Sequence, residues 1–203
     1  MARRRDQAAR RGQLVDAAGR AILERGAANA RLRDIADLAG LTPASVLYYY
    51  PDIQELLAGV FEKGTETYLV HRRMEVDAAE GHWRRLAACI RSGVPYPGER
   101  ETTSRILYEL VPLTFRHEVI AARQQAFFDQ QTGLYRQLLE EGAAAGEFDL
   151  VAPPEFLARA FVALEDGYGI EALAGSAAAE DIEDRLLEHA RLVVRAKRAA
   201  ERG

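Results

Sequence analysis

Apolar positions recur every three or four residues along almost the whole chain, and no stretch alternates with period two. The spacing predicts a helix over 8–25, with Leu14, Val15, Ala18, Ala21 and Ile22 facing inward and Gly26 as its stop. A short helix over 32–39 follows, anchored by Leu32, Ile35, Ala36 and Leu38. Gly40-Leu41 makes a turn. Thr42 then caps a third helix, with Pro43 at the first helical position, where a missing N–H costs nothing. That helix is brief and ends at Tyr48-Tyr49-Tyr50-Pro51. Asp52 caps a fourth, which carries Leu56, Leu57, Val60, Phe61, Tyr68 and Leu69 inward. Five more helices are predicted over 79–92, 99–116, 118–145, 154–174 and 180–200, separated by Gly- and Pro-rich breaks. The fold class expected is all-α, with about nine helices in two domains, 8–68 and 69–203.

Composition adds limits. No apolar run approaches the roughly 18 to 20 residues that a membrane helix needs, and Met-Ala-Arg-Arg-Arg-Asp is not followed by the apolar core of a signal peptide. A single cysteine, Cys89, excludes an internal disulfide and points to a reducing, cytoplasmic setting. Charge is polarised. Residues 1–51 hold nine arginines and five acids, a net +4, whereas 52–203 hold 18 basic and 26 acidic residues, a net −8. A basic head on an acidic body suits phosphate neutralisation by one end only.

The head also carries a motif. A helix-turn-helix needs two short helices meeting at a sharp turn, the second presented to the major groove. Residues 31–50 supply this: Ala36 is small where the helices cross, Gly40 permits the turn, and Ile35, Leu41 and Val46 form the core behind it. With Val46 and Leu47 inward, Pro43, Ala44, Ser45, Tyr48 and Tyr49 form the exposed face, while Tyr50 packs inside. Small Ala44 and Ser45 let the helix sit deep, where alanine meets a thymine methyl and serine bonds several base edges. Thr42 and the helix N-terminus offer donors to phosphate, and Arg33 reaches a guanine or a phosphate.

These residues resemble the TetR (tetracycline-repressor) family from about Arg10 to Phe61. The likeness rests on Arg33-Asp34-Ile35-Ala36, Ala39-Gly40-Leu41-Thr42, the aromatic end of the third helix, and Pro51-Asp52 leading into Glu55-Leu56-Leu57. Gly146-Glu147-Phe148 and Asp166-Gly167 further resemble the subgroup of the choline-responsive repressor. The resemblance implies a homodimer on a near-palindromic operator, released when a small molecule binds the C-terminal domain. It places Arg33, Thr42, Ala44, Ser45, Tyr48 and Tyr49 where family members touch DNA. Two departures stand out: Ile53 replaces a usual phosphate-contacting Lys, and Val46-Leu47 replaces a common Leu-Tyr pair. An N-terminal arm, Arg3-Arg4-Arg5 with Arg10-Arg11, is expected to supply the grip that Ile53 lacks.

In the body, the last two helices carry surplus apolar surface for a four-helix dimer interface, with Phe156, Leu164, Tyr168, Leu186 and Val193 as candidates. Trp83, Tyr108, Phe115, Phe128, Tyr135 and Phe161 are candidate pocket residues, with Glu109 as a carboxylate for a cationic ligand. Ligand packing there is expected to tilt the fourth helix, so that two recognition helices no longer match major grooves about 34 Å apart. Two rivals are weaker. A helical enzyme lacks any His-Glu-x-x-His, Gly-x-Ser-x-Gly or P-loop signature, and no metal or cofactor is expected. A protein-interaction adaptor leaves the arginine-rich head unexplained.

Overall fold

The computed structural model describes residues 2–195, and side chains from 6 to 195. The proposed arm residues Arg3, Arg4 and Arg5 therefore lie outside the described side chains. Among the described residues there are nine helices and no strand. They are α1 (Ala2–Arg25), α2 (Leu32–Ala39), α3 (Pro43–Tyr49), α4 (Ile53–Ala78), α5 (His82–Gly93), α6 (Glu99–Thr114), α7 (Glu118–Ala144), α8 (Pro154–Leu173) and α9 (Ala179–Val194). The first helix starts earlier than the expected residue 8, because residues 2–7 contain neither Gly nor Pro. The last ends before the expected residue 200, because Arg195 turns left-handed (φ 42°).

The chain forms two compact units. One runs to Thr67 and takes in Thr102–Gln124; the other is Tyr68–Glu101 with the chain from Gln125 onward. The segment 102–124, which a division at residue 68 leaves with the second domain, has clear attachments inside the first unit. The Glu109 carboxylate accepts the Ala27 N–H at 2.9 Å. Ile106 lies against Gly19, and Leu107 approaches Gly64 so closely that a methyl there would force it to move. Arg123 donates to the Ala58 carbonyl and lies 3.1 Å from Glu62.

Within that unit α1, α2 and α3 pack on one another around Leu14, Ala18, Ile22, Ile35 and Val46, all closed to solvent. The second unit has its own apolar core, drawn from α4, α5, α7, α8 and α9 and including Leu86, Ile90, Tyr135, Leu139, Phe161 and Leu186. The loop after α7 closes against α9, with the Asp149 and Val151 N–H groups donating to the Val194 and Val193 carbonyls at 2.8 and 3.0 Å. Phe148 seats its ring where any side chain at Gly142 would overlap it.

Candidate nucleic-acid interface

The reading head begins with a turn only glycine makes cheaply. Gly40 sits in the left-handed region (φ 65°), and Leu41 donates to the Ala36 carbonyl at 2.9 Å, closing the end of α2. Arg20 reaches from α1 to the Leu38 carbonyl at 2.9 Å, satisfying a further acceptor of that helix end. Two residues on, the Thr42 hydroxyl accepts the Ser45 N–H at 3.2 Å, and Pro43 occupies the first turn. The Thr42 and Ser45 hydroxyls also lie 2.9 Å apart. One donates to the other, so a single hydroxyl proton of the pair remains for an outside acceptor.

Orientation along α3 follows from about 100° of turn per residue. Val46 is fully buried, and Tyr48, two residues on, lies nearly opposite and is 68% exposed. Ala44 shares that outer face. Leu47 was expected to point inward, but it is 43% exposed. The quarter-turn from Val46 carries it to the flank, so Leu47 belongs to the exposed surface. Tyr49 and Ser45 are half-buried, and Tyr50 is buried beneath the Arg11 guanidinium, 4.3 Å from its ring centroid. Tyr48 and Tyr49 meet edge to face at 5.1 Å. Thr42, Pro43 and Ala44 are exposed, as is Arg33, which has no ion-pair partner among the described residues. Ile53 is half-buried at the start of α4, where the Asp52 carboxylate accepts the Gln54 N–H at 2.9 Å.

The second unit holds a different kind of site. Arg72 of α4 is completely buried. Its Nη2 lies 2.8 Å from Glu165 Oε2 on α8 and 2.7 Å from the Tyr68 hydroxyl, Nε bonds Ser92 Oγ at 3.0 Å, and Nη1 bonds Gln131 Oε1 at 3.1 Å. The guanidinium also lies 4.8 and 5.4 Å from the ring centroids of Tyr68 and Tyr135. The Tyr135 hydroxyl donates to the other Glu165 oxygen. Burial pushes the Glu165 carboxyl up from its ordinary pKa, against the pull of Arg72 and Tyr135. Gly93 has no room for a side chain, since an added methyl would overlap both Arg72 and Glu165. The Cys89 thiol beside this cluster is closed to solvent, and burial raises its pKa to about 12. Thr132 is buried too, and its hydroxyl finds no partner among the described residues.

The expected pocket residues are spread over both units. Glu109 accepts the Ala27 N–H of the turn after α1. Phe115 is 81% exposed beyond the end of α6. Tyr135 and Phe161 are stacked at 5.0 Å and fully buried as core, though Tyr135 flanks Arg72. Tyr108 and Phe128 are half-buried, and Trp83 borders an open groove. Of the dimer candidates, Leu186 belongs to the monomer core. Leu164, Tyr168 and Val193 are half-buried, and Phe156 is 65% exposed. The residues missed were Arg72, Glu165 and Gln131.

A capped, solvent-facing second helix set on a glycine turn over a three-helix support defines a helix-turn-helix DNA-binding regulator. Residues 14–60 match the bacterial regulatory proteins of the tetR family, and residues 83–195 match the C-terminal region of BetI-type transcriptional repressors. The chain belongs to the tetR family and is a DNA-binding transcriptional repressor. It is 28% identical over 147 residues to the HTH-type transcriptional regulator TtgR of Pseudomonas putida, covering 68% of this chain and 70% of that protein. Its fold is similar to a transcriptional regulator from Saccharomonospora viridis solved with choline, at TM-score 0.85, 20% identity, and 93% and 98% coverage of the two chains. It is also similar to AibR, solved with isovaleryl coenzyme A and operator DNA, at TM-score 0.70, 18% identity, and 93% and 100% coverage.

Proposed function

We propose that the chain holds a near-palindromic operator as a homodimer and releases it when a small molecule enters the second unit. The observation that carries the DNA half is α3, whose outer face is Ala44 and Tyr48 flanked by Ser45 and Leu47, with unpaired Arg33 at the start of α2. Arg33, Thr42, Pro43, Ala44, Ser45, Tyr48 and Tyr49 are the contacts assigned, and Leu47 joins them as an apolar contact to a thymine methyl. For the dimer, Phe156 and Ile170 on α8 and Leu192 on α9 are large apolar groups left in solvent. Between the first two, Ala160, Ala163 and Gly167 follow the same helical spacing and permit close helix approach.

The sensing half is assigned to the Arg72–Glu165 cluster. The fold neighbours were solved with a quaternary ammonium in one case and an acyl thioester in the other, so this architecture leaves ligand class to individual residues. Here two tyrosine rings and a carboxylate surround a cation, and that cation is the chain's own Arg72. An effector competing for either charge acts on α4, the helix that follows α3 after a short connection.

The test is binding to labelled DNA from upstream of the chain's own gene at low and moderate salt, with Arg33→Ala and Tyr48→Ala alongside. Sequence-selective binding with a steep salt dependence, weakened by both changes, is expected. Equal affinity for scrambled DNA, or indifference to both changes, would refute the assigned interface.

A further inference from the structure

The second unit carries another site, away from the buried cluster. The end of α4, the outer side of α5 and the outer side of α9 border a groove of about 590 Å³, within the usual range of about 300–1,000 Å³ for small-molecule sites. Its floor is made of alanines, Ala79, Ala87 and Ala88 among them, and Trp83 forms one wall. Arg84, Arg91 and Arg191 line it with a single acid, Glu75.

The charges do not cancel. Glu75 is already engaged by Arg100. Arg91 is engaged by Glu183 at 2.8 Å. Arg84 and Arg191 have no ion-pair partner among the described residues, and Arg191 lies 5.4 Å from the Trp83 ring centroid. The groove thus combines a small-residue apolar floor, an aromatic wall and two uncompensated guanidinium groups.

We infer that this groove binds an amphipathic organic acid, its apolar body on the alanine floor against Trp83 and its anionic head on Arg84 and Arg191. The chemistry favours such a ligand on both counts. Guanidinium pairs carboxylate with two parallel bonds, and an alanine floor has no polar group to desolvate. A cation would meet two like charges with their counter-ions missing.

Trp83 is the only tryptophan in the chain, so its emission reports on this groove. The probes are octanoate and, as a charge control, octyltrimethylammonium, titrated into the full chain and followed by Trp83 fluorescence and calorimetry. Saturable octanoate binding with a Kd below about 1 mM is expected. Arg84→Gln and Arg191→Gln should each weaken it about tenfold or more, with melting temperature unchanged, because both side chains are exposed. The ammonium should leave Trp83 unmoved. The inference is overturned if octanoate gives no saturable signal up to about 10 mM. Equal binding of the ammonium, or full octanoate affinity in both variants, overturns it as well. The last result would place octanoate elsewhere in the chain, and DNA binding is untouched by any of these outcomes.

Discussion

The two units solve opposite problems with charge. The first leaves its functional groups in water: Arg33 on α2 and Tyr48 on α3 are exposed, and the turn and cap that join the two helices are made by bonds between residues three to five apart. The second buries an arginine completely and matches it with a carboxylate 93 positions away in sequence. A surface reader gains by staying solvated until DNA arrives, since its energy comes largely from released counter-ions. A buried pair gains only if every donor is satisfied, and removing one partner leaves an uncompensated charge in a low-dielectric interior. The contrast predicts that mutations in the first unit change affinity with little change in stability, and mutations in the second do the reverse.

The largest effect should come from breaking the buried pair. Arg72→Met or Glu165→Leu alone should cost about 3–5 kcal/mol of stability, read by chemical denaturation. The double variant should recover most of that loss, since it removes both charges together. Single variants as stable as the parent would mean that the pair is not the keystone of this unit.

Tyr48→Ala sharpens the other side of the contrast. Operator affinity should drop about tenfold while the melting temperature holds, and Arg33→Ala should lower the salt slope by about one. A large loss of stability in either variant would show that these residues support the fold. Thr42→Ala lies between the two classes. It removes the cap on α3 at about 1 kcal/mol and weakens DNA binding as well.

The smallest effect is a pH dependence. Burial against Phe161, with ring centroids 5.6 Å apart, lowers the His189 pKa in the folded chain. The unfolded chain therefore takes up the proton first. Stability is full above the ordinary imidazole value of about 6.5 and falls as pH drops through the folded value. His189→Gln should flatten the melting temperature in that window; an unchanged slope would assign the acid sensitivity to other groups.

The reading head was legible because every signal for it is local. Gly40, Thr42 and Pro43 each mark one backbone event, and the spacing from Ile35 to Val46 fixes what faces inward. The one slip there, Leu47, came from treating neighbouring residues as if they shared a face. The second unit was legible as helices but not as a site. Arg72 stands one turn beyond Tyr68, in a stretch where a charged residue reads as solvated, and nothing near it points to Glu165. Glu109 and Glu165 look alike in sequence, each an acid directly after an apolar stretch. Only tertiary structure separates the one bonded to Ala27 from the one facing Arg72. Gly93, just past the helix expected over 79–92, supplies the space that the ion pair occupies, which nothing in its own neighbourhood announces.

The state of Cys89 makes the chain a clean chassis for distance measurement. Its thiol, the only one present, is sealed from solvent and protonated far above neutral pH, and maleimides and methanethiosulfonates need an accessible thiolate. A cysteine introduced on the outer face of α3 would then take a spin label alone. In a symmetric pair, one substitution gives two labels and one distance. That distance is the span between reading heads, the quantity that the expected tilt of α4 would change.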